Sequence, residues 1–265
     1  AAAQARVDSN AEELLALLAD GDRRAAGAAQ LRAMTAFIAA RADQLAARAA
    51  AGLVRELHGD LRAEHVLPGP PTRFVDRLEF SRALREIDVA DELAFLAMDL
   101  AARGAPDAAR TLVAAYRQAG GDPGDDALIA FHAVYRAQVR AKVALLRAAQ
   151  ADGDAGAGDG RAAPAADRLL AAAERFAWQA RLPRVLVVCG PSASGKSVLA
   201  QELARRAGRP VCSSDVTRKR IAGLAATDRA DAAHYHDAMN ARTYRRLGDE
   251  AAAADGGAIV DATFR

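Results

Sequence analysis

The chain has 265 residues, enough for one or two domains, and 52% of them are apolar, enough for a sizeable core. Lys plus Arg (36) and Asp plus Glu (34) nearly cancel to a formal charge of +2, which argues against nucleic acid or an anionic membrane as the main partner. No apolar run approaches the roughly 18 residues of a membrane span, and AAAQARVDSN at the start has no basic segment leading into an apolar one, so a cytoplasmic protein is expected.

Alanine, the best helix former, supplies much of the apolar fraction, so a helix-rich chain is expected. Residues 11–57 read as helices. Leu14, Leu15, Leu17 and Leu18 cluster before the break at Asp20-Gly21-Asp22, and Leu31, Met34, Phe37, Ile38 and Leu45 then recur at helical spacing. Pro68-Gly69-Pro70-Pro71 is a turn signal, and Phe74, Val75 and Leu78 after it read as a short strand. Leu93, Leu96 and Leu100 share a helix face that stops at Gly104. Pro106-Asp107 opens another helix ending at Gly120-Gly121, and from Asp125 a long one carries Leu128, Phe131, Tyr135, Val139, Val143 and Leu146.

Residues 151–164, ADGDAGAGDGRAAP, have no bulky apolar group and read as a flexible linker. A helix with Leu169, Ala173 and Phe176 follows. Val185–Val188, Pro210–Ser213 and Ala258–Asp261 then read as strands, separated by a helix ending at Gly208 and a helical stretch from about Asp231 to Ala254. Strands alternating with helices predict a parallel α/β sheet. Cys189 and Cys212 each close a strand-like run and read as reduced core residues. The chain starts without methionine and stops at VDATFR, so a piece of a longer protein is expected.

Between the first strand and its helix lies Gly190-Pro191-Ser192-Ala193-Ser194-Gly195-Lys196-Ser197, followed by Val198. This GxxxxGKS pattern in a strand–loop–helix setting is a P-loop. Its glycines let successive backbone N–H groups turn toward phosphate oxygens, and the helix N-terminus adds a positive dipole end. Lys196 is expected to reach the β- and γ-phosphates of ATP and Ser197 to ligate Mg²⁺. Asp215 follows the second strand in SSDVTRKR, where the carboxyl ends of parallel strands line a ligand crevice. It is a candidate to orient or deprotonate an acceptor hydroxyl, and Arg218 a candidate to hold an anionic substrate. The same residues also read as a helix N-cap and, with Lys219 and Arg220, a solvated face. Asp261 at the end of the third strand is a candidate Mg²⁺ carboxylate.

GPSASGKS, SSDVTRKR and IVDATF together resemble the small P-loop kinases related to gluconate kinase, polynucleotide 5′-kinase and zeta-toxin-type kinases, over residues 183–265. The resemblance implies that Asp215 contacts the acceptor hydroxyl and that a later lid supplies arginines. Upstream, His58-Gly59-Asp60-Leu61-Arg62-Ala63-Glu64-His65 resembles the HGDLHxxN catalytic loop of aminoglycoside-phosphotransferase-like kinases, over residues 30–150. It implies that Asp60 takes the substrate hydroxyl proton and that His58 braces the loop. By the same resemblance His65 stands at the metal-binding Asn, Glu79 (with Asp76 just before it) at the metal-binding Asp, and Asp91 at the Asp of the following helix.

The expected fold is therefore α/β with a separate mainly α domain. Residues 1–150 are the helical C-lobe of a kinase-like fold, 151–164 the linker, and 165–265 a partial P-loop parallel sheet. The order resembles bacterial proteins in which an aminoglycoside-phosphotransferase-like domain is fused to an ATP-binding kinase. The expected function is transfer of the γ-phosphate of Mg-ATP to a hydroxyl of a small molecule, with the oligomeric state left open. A nucleotide-sensing regulatory module with an inactive kinase-like domain is the alternative. Nucleic-acid end phosphorylation is disfavoured by the charge balance.

Overall fold

The computed structural model describes residues 2–18, 21–153, 162–225, 227–228, 234–254 and 256–263. Two compact units divide at Ala180 and Arg181.

The first unit opens with α1 (Ala2–Leu17), α2 (Asp22–Ala40) and α3 (Ala42–Ala50). The chain then leaves helix for β1 (Val54–Glu56), the hairpin β2 (Val66–Leu67) and β3 (Arg73–Phe74), and β4 (Glu86–Asp88). β1 pairs with β4 and β2 with β3, both antiparallel. Then come α4 (Val89–Ala102), α5 (Pro106–Gln118), α6 (Asp126–Gly153) and α7 (Ala162–Arg181). α4 is apolar nearly all round, VADELAFLAMDLAA, and it is buried nearly all round as the central helix. Its Ala90 and Ala94, with Ala133 and Ala137 of α6, are fully buried and let the two helices approach closely. Phe95 and Met98 fill the remaining space against Leu128, Phe131 and Val134. Asp88 starts α4 by accepting a hydrogen bond from the Ala90 N–H at 2.8 Å. The buried Arg48 guanidinium grips the same carboxylate through two bonds of 2.8 Å, tying α3 to the start of α4.

Three expectations change here. Residues 51–57 are a turn and a strand rather than helix, because Gly52 takes a left-handed φ of +70° and the next residues pair with β4. α7 belongs to the first unit rather than the second, because Ala173 and Ala177 bury in the α4–α6 core. At the expected linker 151–164, α6 continues to Gly153 and α7 starts at Ala162, while residues 154–161 lie outside the described ones.

The second unit is a three-stranded parallel sheet with β7 (Ala258–Ala262) central, β5 (Val185–Cys189) on one side and β6 (Val211–Ser213) on the other. α8 (Lys196–Ala207) joins β5 to β6; α9 (Ser214–Ile221) and α10 (Asp237–Ala253) lead toward β7. The expected helix start near Asp231 falls among residues 229–233, which lie outside the described ones. Side chains alternate across β7. Ile259 packs with Ala200 and Ala204 of α8, while Ala258, Val260 and Ala262 pack with Leu247 and Ala251 of α10. β5 is an edge strand with one face uncovered. Cys189 is therefore exposed rather than a core residue, whereas Cys212 is buried; both are free thiols. Among the described residues no helix is long and apolar enough to cross a membrane.

Gly257 makes the turn into β7 with φ +95°, and a Cβ there would stand 2.1 Å from the Arg184 carbonyl oxygen, the acceptor of the Ala258 N–H. Gly257→Ala is expected to destabilise the second unit by roughly 2 kcal/mol, measured as a lower urea midpoint for that unit with the first unit's transition unmoved.

Candidate functional site

The loop after β5 takes positive backbone φ angles at three positions, two of them glycines. Gly190 has φ +156°, Ala193 +64° and Gly195 +80°. A Cβ on Gly190 would crowd the Ser194 hydroxyl at 3.1 Å. Lys196 folds back over the loop and donates to the Pro191 carbonyl at 3.2 Å. Ser192, Ala193, Lys196 and Ser197 line a cleft of about 840 Å³ together with Asp215 and Asp261, a volume within the range of small-ligand sites. Pro191, Ser194 and Gly195 shape the loop behind that lining, and Val198 points away, 72% exposed.

Asp261 is on the same face of β7 as Ile259, two residues on, and so it meets the start of α8. Its Oδ2 accepts a hydrogen bond from the Ser197 hydroxyl at 2.7 Å. The carboxylate is 7% exposed, and its Oδ1 has no protein partner among the described residues. A buried, half-satisfied carboxylate beside a hydroxyl fits a hard divalent cation such as Mg²⁺.

Asp215 lies in the first turn of α9 rather than at its N-cap, which is Ser213. Its carboxylate faces the cleft and pairs with the Lys219 ammonium one turn on, at 2.7 Å. Arg218 is 5% exposed. It donates to the Asn240 side-chain oxygen at 2.7 Å and to the His234 carbonyl at 3.1 Å, and its guanidinium lies 4.5 Å over the Tyr235 ring. All of these partners are neutral. Asn240 and Tyr235 were invisible as site residues in the sequence, because neither belongs to a motif and α10 reads as an ordinary helix. Arg220 instead joins Glu250 of α10.

In the first unit, the His58–His65 loop is pinned by its backbone. The Gly59 N–H donates to Glu92 at 2.8 Å, the Arg136 guanidinium donates to the Gly59 carbonyl at 3.2 Å, and the Ala63 N–H donates to Asp99 at 2.9 Å. His58 Nε2–H donates to the Val75 carbonyl at 2.8 Å, and His65 Nδ1–H to the Asp60 carbonyl at 2.8 Å. Asp60 itself is held by Arg62 through bonds of 3.1 and 2.9 Å to one oxygen. The Glu79 side chain is exposed, and among the described residues no hydrogen bond or ion pair ties it to this loop, although the neighbouring Leu78 N–H donates to the His58 carbonyl at 3.1 Å. The carboxylate that does reach it is Asp76, 3.2 Å from His65 Nε2. Among the described residues no group of three or more His, Cys, Asp or Glu is placed to hold a metal ion.

Beneath the loop, Asp91 is completely buried against Arg136 at 2.6 Å, with His132 Nδ1 3.7 Å away. Burial pushes its carboxyl up, but Arg136 and His132 outweigh that and hold it below the usual carboxylate range. Glu92 goes the other way, raised by a burial that the Gly59 N–H only partly offsets.

Comparison with known proteins agrees with the second unit. An AAA domain family matches residues 185–265, the strand, P-loop, α8, β6 and β7 described above. Uncharacterized proteins of Mycobacterium tuberculosis (strain ATCC 25618 / H37Rv) and Mycobacterium bovis are 35% identical over 187 residues, 70% of this chain and 36% of theirs. The chain thus spans about a third of the length of these curated relatives. A tRNA dimethylallyltransferase of Acaryochloris marina is 48% identical over 59 residues, 20% of each chain. No solved structure matches. The match over residues 185–265 and the P-loop within it together suggest a nucleotide-binding, kinase-like function for the second unit.

The depressed Asp91 sets the sign of a pH effect. Its contribution to stability is fully present above its unfolded value near 4 and is lost as pH falls through the lower folded value. Denaturant titrations are expected to show the first unit weakening below about pH 4. Asp91→Asn should flatten that dependence while costing about 3 kcal/mol at neutral pH, because Arg136 loses its buried partner.

Proposed function

We propose that the second unit is an ATP-dependent phosphotransferase acting on a small hydroxylated molecule that carries an anionic group. The observation that supports this most is one cleft containing Lys196, Asp215 and Arg218 together. The loop amides of residues 190–197 and the Lys196 ammonium hold the triphosphate. Ser197 and Asp261 would hold Mg²⁺, whose charge screens the phosphate oxygens. Asp215 orients the acceptor hydroxyl and takes its proton as the acceptor oxygen bonds to the γ-phosphorus and ADP leaves. Lys219, paired with that carboxylate at 2.7 Å, keeps it aimed at the cleft. Arg218, buried among neutral partners, is the fixed cation for the acceptor's anionic group. Turnover by the whole protein is part of this proposal.

One observation favours a different role for the first unit. Asp60 pairs with Arg62 through one oxygen, and Glu79, which the resemblance makes the metal ligand beside it, has an exposed side chain with no bond to the loop among the described residues. A regulatory body that responds to ligands fits that arrangement better than a second phosphotransferase centre.

Direct binding and turnover assays check both readings. Lys196→Ala is expected to weaken Mg-ATP binding by about tenfold or more. Asp215→Asn should leave ATP affinity intact and lower turnover on a screened panel of hydroxy acids and sugar phosphates by about 10²- to 10⁴-fold. Asp60→Asn should leave turnover unchanged. Nucleotide binding indifferent to Lys196→Ala, or turnover indifferent to Asp215→Asn, overturns the assignment.

A further inference from the structure

The His58–His65 loop lies along α4 with α6 beneath it. Glu92 holds it at Gly59 and Asp99 holds it at Ala63, two helical turns or about 10 Å further along α4. Arg136 of α6 reaches the loop at the Gly59 carbonyl. Arg140 is one turn beyond Arg136 on the same face of α6, the face from which Arg136 reaches the loop. Its charged neighbours agree with that position: Arg62 and Arg147 oppose it, Asp60 and Asp99 attract it. Arg147 is two further turns along the same face and exposed.

The ion pairing around this point is uneven. Arg62 pairs with Asp60 and Glu64, and Arg103 pairs with Asp99 and Glu64. Those two arginines therefore occupy all three carboxylates. Among the described residues no hydrogen-bond acceptor or carboxylate pairs with Arg140 or Arg147. Arg140 is half-buried in this position, with Arg62 close by, and burial and that neighbour hold its pKa below the usual arginine range. An incoming negative charge would relieve both effects, and a planar guanidinium matches an oxyanion through paired N–H donors.

We propose that Arg62, Arg140 and Arg147 form an oxyanion-binding site where the His58–His65 loop meets α6, taking the phosphate or carboxylate group of a small ligand. Arg62 couples the site to Asp60. An anion that draws the Arg62 guanidinium to itself frees the Asp60 carboxylate it now holds. This site lies within the first unit and is independent of the P-loop assignment.

The test is calorimetric titration of inorganic phosphate into the full chain carrying Lys196→Ala, which weakens the P-loop as a competing phosphate site; binding left there or at Arg218 is not moved by substitutions at Arg140 or Arg147. A parallel titration uses acetate, so the two arms separate a phosphate from a carboxylate ligand. Saturable binding of one of these anions is expected, weakened about tenfold when Arg140→Gln is added and less by Arg147→Gln. Arg140→Lys should retain part of the affinity. Circular dichroism verifies that each variant is folded; if Arg140→Gln is not, the exposed Arg147→Gln carries the test. Absence of phosphate and acetate binding in the Lys196→Ala chain, or affinity unchanged in the folded arginine variants, overturns the proposal.

Discussion

The second unit depends on the place of β7 in its sheet. Parallel pairing sets Asp261 level with Val188 on one side and with Ser213 on the other. The P-loop therefore begins, and α9 with Asp215 starts, at the same end of the sheet where Asp261 sits. Alternation along β7 then decides which helix Asp261 meets. Ile259 packs on Ala200 and Ala204 of α8, and Ser197, Ala200 and Ala204 form one stripe of that helix. Asp261 shares the Ile259 face, so it arrives at Ser197. A one-residue slip of β7 would turn the carboxylate to the α10 side and into contact with apolar Leu247.

The two units hold charge in different ways. In the second, backbone geometry does most of the work: left-handed angles at Ala193 and Gly195 shape the loop, and one buried carboxylate waits beside a hydroxyl. Arg218 is kept in place by an amide oxygen, a carbonyl and an aromatic face, so its positive charge is not cancelled. In the first unit, buried ion pairs pin the loop from below. Glu92 and Arg136 take the two backbone groups of Gly59, and Asp91 balances Arg136. The loop is fixed firmly, and Arg62 holds one oxygen of its candidate base, Asp60.

Local patterns in the sequence foretell the P-loop, α8, the three parallel strands and the long α6, because each is written in consecutive residues. Strand ends also pointed to Asp215 and Asp261, both of which line the cleft. What stayed hidden depends on distant pairing. β1 is three residues whose strand state exists only through β4, some thirty residues away, and all three are exposed, so no apolar alternation marks them. The helix at 162–181 looked like the start of the second unit by order along the chain, and only the burial of Ala173 and Ala177 assigns it to the first. Glu79 and Asp76 are three residues apart, and the direction of a loop decides which one reaches His65. The support of Arg218 by Asn240 and Tyr235 likewise has no signal in local spacing.

The claim that carries the rest is that residues 190–197 hold the phosphates of a nucleotide. Titrating Mg-ATP into the chain while following its backbone amide resonances tests this most directly. Saturable shifts concentrated at Gly190–Ser197 and at Asp261 are expected, with the amides of the first unit's core helices unmoved. Resonances of the loop that stay fixed while nucleotide binds elsewhere, or no binding at all, would contradict it.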